Sequence, residues 1–386
     1  MADMISCTLD CFPENILVDI LSYLNVRELV RNGRVSKRWR RLVKDQKLWR
    51  TVDLTTWKGV TSRVLWILLR QYLGCGLRCL RLRGLLLSAR GGSFLSESWL
   101  QALASKCPRL HKLSLLHTDL RRLHSCSVLP PSLQVLELHG CELPGDFFSQ
   151  SDSTAKPNQR TEGNRACQPS SNKTGRKQVS PTGVSIETLV LDNVPSFTDQ
   201  HLRSLCSWQR LVHLELRDVI RVTAAGVRGC APDEVGAQGL RQLRYLEVGN
   251  SGRLGSQMQM VSLGLGDGWL GLEELSLRGR EVSPGLLCVS RLRDLRRLRL
   301  SNCWLTEMMV LRSCRTLKDL CRIQFCEVDF HTRHRTSERE TGEDSERERE
   351  EVDENDPVPS LRHSLMTLLP RCELVFTRCT ITVCTD

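Results

Sequence analysis

Through the first fifty positions the apolar residues recur at helical spacing, and from position 77 onward they recur in a short fixed motif. In FPENILVDILSYLN (12–25), Ile16, Leu17, Ile20, Leu21 and Leu24 make one helical stripe, and Pro13 suits a first turn, where its missing N–H costs nothing. Nothing apolar lies close in the sequence to cover that stripe. VRELVRNGRVSKRWRRLV (26–43) and QKLWRTVDL (46–54) come next, with Leu29, Val35, Trp39, Leu42, Leu48 and Trp49 at helical spacing and Gly33 as punctuation. Three short helices in about 45 residues cannot stabilise themselves well by burial alone, so a partner or a packed neighbour is expected.

One more stripe, SRVLWILLRQYL (62–73), precedes the change of period. The motif L-x-x-L-x-L then returns as LRCLRL at Leu77, LHKLSL at Leu110, LQVLEL at Leu133, IETLVL at Ile186, LVHLEL at Leu211, LRYLEV at Leu243, LEELSL at Leu272 and LRRLRL at Leu295. LCRIQF at Leu320 is a weaker ninth copy. Starts 23 to 33 residues apart, with one interval of 53, are the spacing of leucine-rich repeats that carry insertions. Each unit supplies a short strand whose leucines point into a shared core, and then a returning segment; SFTDQHLRSLCSWQRL (196–211) reads as a capped helix of that kind. No unit buries its leucine face alone, so the units must stack into a curved solenoid. The surplus in the long interval matches 153–183, rich in Ser, Pro, Gly, Asn and Lys, and 331–359 is charged and nearly free of apolar residues. Both are expected to be disordered insertions. After the second, LRHSLMTLLPRCELVFTRCTITV (361–383) resumes as a helix and strand that would cap the last repeat.

A chain of 386 residues with 40% hydrophobic content exceeds one ordinary domain and has enough apolar material for a large core. It contains no run resembling a membrane span, and acidic residues stand where a secretory leader needs basic ones, so the expected compartment is the cytosol or nucleus. In that setting the 18 cysteines are thiols, and without a C-x-x-C pair or a matching His pair no structural metal is expected. The net charge of +11 is unevenly placed: residues 338–356 hold 11 acidic and 3 basic side chains, a local −8, which leaves about +19 elsewhere. Such a basic surface could draw nucleic acid or acidic proteins. Aromatic content of only 5% and the lack of a nucleic-acid module make solvated arginine faces the simpler reading, for RVSKRWRRLVK (34–44) as for the rest.

Catalytic motifs are scarce. GDGWLG satisfies G-x-G-x-x-G at Gly266, Gly268 and Gly271, but a dinucleotide cradle needs a strand before it and a helix after it, whereas these glycines lead straight into LEELSL. Cys141 and Cys303 each come three residues after the last leucine of a repeat, and Cys107 and Cys314 each stand three residues before a leucine that leads into the next repeat, Leu110 and Leu317; small buried residues pack in such places. No local motif marks any cysteine as a nucleophile.

The stretch FPENILVDILSYLNVRELVRNGRVSKRWRRLVKDQKLWRTVDL (12–54) has a Leu-Pro-x-Glu-type opening with Phe12 in place of leucine, an Ile-Leu helix ending in Tyr-Leu, a Val-x-x-x-Trp helix and a closing Leu-Trp. In these residues it resembles the F-box, and with the repeats behind it the whole chain resembles the F-box and leucine-rich-repeat family, from which the two low-complexity insertions depart. The fold class this implies is α/β: a three-helix F-box over 1–54, a linking helix over 55–76 and a curved leucine-rich-repeat solenoid over 77–386. The implied function is that of a substrate-recognition subunit of an SCF (Skp–cullin–F-box) ubiquitin ligase, bound to a Skp-type adaptor and through it to a cullin scaffold and a RING protein. Protein substrates would lie on the repeats, with no catalytic residue, metal or cofactor in this chain. The implied adaptor-binding residues are Phe12, Pro13, Ile16, Leu17, Leu21, Leu24, Val35, Trp39, Leu42 and Trp49, buried partly within the three-helix unit and partly against the adaptor, with Phe12, Pro13 and Leu17 in direct contact. Two further readings stand beside this one. One is an interaction scaffold outside any ligase, whose helical N-terminus merely caps the solenoid; the other is a basic nucleic-acid binder with salt-sensitive affinity.

Residues between the leucines of each strand point to the concave face, where a substrate would bind. The central positions are Ser114, Glu137, Val190, Glu215, Glu247, Ser276 and Arg299, flanked by His139, Asp192, His213, Arg217, Tyr245, Arg278 and Arg297. The expected surface is an acidic middle grading into a basic C-terminal end, matched by a substrate segment of opposite charge order.

Overall fold

Pro13, at φ −58° and ψ 149°, opens the first helix, α1 (Glu14–Leu21), and Glu14 places a carboxylate in its first turn. The structure, a computed structural model, describes residues 9, 12–84, 94–149, 185–232, 239–251, 260–266, 268–333 and 359–384. A capping box starts α2 (Val26–Asn32): the Asn25 side chain accepts from the Glu28 N–H and the Glu28 carboxylate accepts from the Asn25 N–H, each at 3.0 Å. Ser36 caps α3 (Lys37–Leu42) by accepting from the Trp39 N–H. The three helices bury Leu17, Val18, Leu21, Val26, Leu29 and Leu42 among themselves. Trp49 joins this unit to the next helix, α4 (Ser62–Gln71). Its indole N–H donates to the Val43 carbonyl at 2.6 Å, and its ring stacks on Tyr72, the residue directly after α4, with centroids 4.6 Å apart.

The sheet begins inside the stretch assigned to the helical unit. β1 (Thr51–Asp53) pairs in parallel with β2 (Cys79–Arg83), so the segment 1–54 donates the first strand of the solenoid. After α5 (Glu97–Lys106) the strands continue in chain order as β3 (Lys112–Leu116), β4 (Val135–His139), β5 (Thr188–Asp192), β6 (His213–Arg217), β7 (Tyr245–Asn250), β8 (Glu274–Gly279), β9 (Arg297–Leu305) and β10 (Arg322–Arg333). The returning helices are α6 (Asp199–Leu205), α7 (Ala224–Arg228), α8 (Val282–Val289) and α9 (Glu307–Cys314). α10 (Pro359–Leu368) then leads to β11 (Glu373–Thr377) and β12 (Thr380–Cys384), both paired to β10. The end is thus one helix and two strands, where a helix and a single strand were expected. Residues 331–333 belong to β10 and Pro359 to α10, so the expected insertion at 331–359 is shorter at both edges. Its remainder, 334–358, lies outside the described residues, as does all of 153–183.

Pairing is in register from strand to strand. Val52, Leu80, Leu113, Leu136, Leu189, Leu214, Leu246, Leu275, Leu298 and Ile323 form one buried row, and Leu82, Leu115, Leu138, Leu191, Leu216, Val248, Leu277, Leu300 and Phe325 form the next. Each such side chain contributes about 1.5–3 kcal/mol by leaving water. Leu374 and Phe376 extend the rows into β11 but stay half-buried, and among the described residues no further strand pairs with β11 to cover them. Behind the strands the backbone turns at a fixed place: His117, Gly140, Asn193, Asp218, Gly279, Asn302, Glu327 and Arg378 all have φ between 48° and 69°. Gly, Asn and Asp adopt this left-handed conformation readily, whereas His117, Glu327 and Arg378 hold it at a cost of about 1 kcal/mol each.

Where the long interval interrupts the repeats, aromatic side chains fill the interior. Phe148 meets Phe147, Phe197 and Trp208 with centroids 5.0, 5.8 and 5.4 Å apart, and the Trp208 N–H donates to the Phe148 carbonyl at 3.3 Å. His201, three residues into the turn begun by Thr198, is buried beside them and stacks on Phe197. Its Nδ1 accepts from the Thr198 N–H at 3.1 Å while its Nε2–H donates to the Pro144 carbonyl at 2.8 Å, an arrangement open only to the neutral ring.

Burial holds the His201 pKa below its ordinary value. As pH falls below about 6.5 the unfolded chain takes up the proton first, so stability should decline until the depressed folded value is passed and then level off. Unfolding midpoints in denaturant between pH 7.5 and 5 are expected to fall less steeply for His201→Gln, which keeps a capping-box acceptor but does not titrate. Parallel curves for the two proteins would exclude His201 as the source of that slope.

Candidate functional site

Two surfaces offer themselves, one on the N-terminal helices and one on the concave side of the sheet. α1 carries two stripes. Leu17, Val18 and Leu21 are buried in its own unit, while Phe12, Pro13, Ile16, Ile20 and Tyr23 are exposed, Tyr23 at 90%. Pro13, Ile16, Ile20 and Tyr23 recur at intervals of three and four residues along α1 and the residues that flank it, with Phe12 next to the first of them. Arg38 donates to the Phe12 carbonyl at 2.8 Å and Arg41 pairs with Glu14, so two arginines expected to be merely solvated fasten α3 to the start of α1.

This arrangement divides the ten residues expected to bind an adaptor. Phe12, Pro13, Ile16 and Val35 are exposed, and Leu24 and Trp39 are half-buried. Leu17, Leu21, Leu42 and Trp49 are interior, with Leu17 only 1% exposed, so direct contact by Leu17 is corrected to a role in the core. Val35 does not share the buried face of Trp39 and Leu42: it precedes the Ser36 cap, outside the helix, and is 68% exposed. Sequence reasoning misses Ile20 and Tyr23 as exposed apolar residues; Ile20 falls within the stripe read as buried, although that stripe is too wide for one short helix to bury entirely.

On the concave face the parallel register sets charges from neighbouring repeats within ion-pair reach, and most are satisfied internally. Lys112 reaches Glu137 at 2.6 Å, and His139 reaches Asp192 at 3.2 Å. Glu215 is held by His213 and by Arg217, both at 2.7 Å, and Arg217 reaches on to Glu247 at 2.6 Å. The Tyr245 hydroxyl donates to Glu247 at 2.9 Å, and its ring stacks on His213 with centroids 3.9 Å apart. Burial pushes the Glu215 carboxyl up, but His213 and Arg217 outweigh it and keep the group below its ordinary pKa. The hydrogen bond from His139 does the same for Asp192. The carboxylates of the expected acidic middle are therefore hydrogen-bonded and ion-paired within the sheet and are not open to a ligand as free groups. Lys112 and Glu274, the partners of Glu137 and Arg297, escape the sequence reading, although both occupy the strand position two residues before the central one, as His213, Tyr245 and Arg297 do.

Toward the C-terminal end a hollow of about 420 Å³ opens over β6 to β11, lined in part by Arg278, Arg299, Ser276, Ser301, Asn302 and Gln324. Arg297, outside it, is paired with Glu274. Elsewhere Gly266, Gly268 and Gly271 form the turn before β8, where the Gly271 N–H donates to Asp294 at 2.8 Å. Burial raises Cys107, Cys126 and Cys141 to about 11 and Cys303 and Cys314 to about 12, so these thiols stay protonated at neutral pH. Among the described residues no group of three or more His, Cys, Asp or Glu side chains could hold a metal ion, and no helix is long and apolar enough to cross a membrane.

Residues 9–55 match the F-box-like family model. Human F-box/LRR-repeat protein 12 is 35% identical over 321 residues, covering 81% of this chain and 86% of that protein. Bovine F-box/LRR-repeat protein 12 is 33% identical over 313 residues, covering 80% and 77%. A solved structure, the crystal structure of the TLR13-ssRNA13 complex, aligns with 85% of this chain and 35% of its own at a TM-score of 0.38 and 14% identity.

The internal pairing of the concave face has a measurable consequence. Glu247→Ala removes the acceptor of the Tyr245 hydroxyl and one of the two carboxylates that hold Arg217, and should cost about 1–3 kcal/mol of stability, read by chemical denaturation. Arg299→Gln, at an exposed position with no ion pair among the described residues, should change stability by less than about 0.5 kcal/mol.

Proposed function

The chain belongs to the F-box/LRR-repeat protein family, and we propose that it is the substrate-recognition subunit of an SCF ubiquitin ligase, directing bound proteins to ubiquitination and proteasomal degradation. The observation that carries this reading is the second stripe of α1. A helix that has already filled its own core with Leu17, Val18 and Leu21 still presents Phe12, Pro13, Ile16, Ile20 and Tyr23 to solvent. Contiguous exposed apolar side chains of this kind mark interaction surfaces. A Skp-type adaptor would cover them and connect the chain to a cullin scaffold and a RING protein, while the concave face holds the substrate.

In this reading no proton transfer or covalent step falls on the chain. Its contribution is effective concentration: a substrate lysine held near a charged conjugating enzyme reacts as a neighbour and not as a diffusing partner. A continuous sheet from β1 to β11, anchored to the helical unit by Trp49 and Tyr72, would keep the two binding ends at a fixed separation.

The test is co-purification of adaptor and cullin with the intact chain and with a variant carrying Phe12→Ala, Ile16→Ala and Ile20→Ala. The variant should unfold at the same midpoint yet bind the adaptor at least about thirty-fold more weakly, a loss of roughly 2 kcal/mol. Leu17→Ala should instead lower stability by about 2–5 kcal/mol, because it empties a core position. No capture by the intact chain overturns the receptor reading in favour of a leucine-rich-repeat interaction scaffold; undiminished capture by the triple variant overturns the stripe as the docking face.

A further inference from the structure

The charges of the C-terminal concave face do not cancel. Arg217 is committed to Glu215 and Glu247, Arg297 to Glu274, Arg322 to Glu373 at 3.7 Å and Arg378 to Glu327 at 3.2 Å. Arg278 and Arg299 have no carboxylate in ion-pair range among the described residues, and both line the same hollow. Each lies on a different strand. Register sets Ser276 beside Arg299 and Arg278 beside Ser301, so the two arginines are one strand and two residues apart. Strand spacing and rise put their Cα atoms roughly 8 Å from each other.

Arg278 is not free to swing toward Arg299. Its Nε–H is held at 3.2 Å by the amide oxygen of Asn302, and the long-range field of Asp192 acts on it from the other side. The hollow therefore offers two separate cationic positions and not one convergent clamp. Between and around them Ser276, Ser301 and Gln324 supply neutral hydrogen-bonding groups; the two carboxylates in the lining, Glu247 and Glu327, are paired with Arg217 and Arg378, and no aromatic ring lines the space. A nucleic-acid backbone would call for a longer row of unmatched cations or for rings on which bases stack, and neither is present in this lining.

Deepening the receptor reading and resting on it, we propose that Arg278 and Arg299 dock an acidic segment of the substrate protein in extended conformation, with carboxylates at alternate positions, Asp or Glu at i and i+2. Alternate side chains of an extended peptide share one face at roughly 6.8 Å spacing, which long arginine side chains match without rearrangement of the strands. Ser276, Ser301 and Gln324 hydrogen-bond the segment, and the Arg217–Glu247 and Arg378–Glu327 pairs, which also line the hollow, stay closed on themselves.

The experiment measures direct retention of degenerate peptide libraries by the full chain, with no ubiquitin transfer, so loss of adaptor binding leaves the result readable. Four libraries differ at two fixed positions: Glu-x-Glu, Glu-x-Ser, Ser-x-Ser and phosphoserine-x-Ser. Glu-x-Glu should be retained at least tenfold over Ser-x-Ser and above Glu-x-Ser, with affinity falling as salt rises. Arg278→Gln and Arg299→Gln should each reduce Glu-x-Glu to the level of Glu-x-Ser with unchanged unfolding midpoints, and Arg299→Lys should restore part of it. Equal retention of Glu-x-Glu and Ser-x-Ser, or indifference to either substitution, overturns the proposal. So does preference for the phosphoserine library, which would make the hollow a phosphate clamp, and so does tighter binding of oligothymidylate than of any peptide.

Discussion

In-register stacking of the leucine rows is the constraint on which the rest of the molecule depends. A single repeat exposes its apolar pair, and only the next strand, about 4.8 Å away, covers it. Eleven strands succeed one another in chain order from Val52 to Leu374 under this condition, and the burial fades only at the last of them. The same condition explains why β1 is drawn from the helical unit. Leu80 and Leu82 would otherwise face water on one side, and Val52 and Leu54 close that side. The boundary between the two parts of the chain is therefore a shared strand, reinforced by the Trp49–Tyr72 stack, and not a linker.

Register also writes the electrostatics of the opposite face. Once leucines are aligned, the residues between them are aligned too, and unlike charges on adjacent repeats meet whether or not a ligand is present. Arg217 bridging Glu215 and Glu247 is the plainest case. Such half-buried pairs give little net stability, yet removing one member strands the other. Glu137, Glu215 and Glu247 are thus parts of the scaffold's own balance of charge, and a ligand would have to break those pairs to use them.

Repetition was legible in the sequence because it is written in residue types: L-x-x-L-x-L fixes strand, spacing and core face together, and nine copies leave little freedom. β1 was not legible. TVDL contains one buried valine and one buried leucine in a stretch that the three-helix pattern already claims, and nothing local marks it as a strand. β12 was hidden for a related reason, since TITVC pairs along the extended tail of β10 and belongs to no repeat. Among site residues, periodicity found the exposed and buried members of α1 together but could not separate them. A stripe of five apolar positions on an eight-residue helix is wider than one neighbour can cover, and only packing decides that Leu17 goes inside while Ile16 and Ile20 stay out. Likewise Glu215 and Arg217 on one strand and Glu247 on the next show charge in the sequence but not pairing, which depends on how far the arginine reaches.

Specificity on such a surface comes from what pairing leaves over. A face with many arginines would attract any acidic partner at long range, with little discrimination. By matching Arg217, Arg297, Arg322 and Arg378 internally, the fold removes most of that field and keeps two cations at a set separation. In the proposed reading, unmatched partners meet satisfied hydrogen bonds that they would have to break, while a partner with its charges at the right spacing leaves those bonds in place. The net positive charge of the chain and the internally bonded carboxylates in the middle of its concave face are compatible for this reason: in the proposed reading recognition rests on the position of the few charges outside ion pairs, and the leucine register decides where those fall.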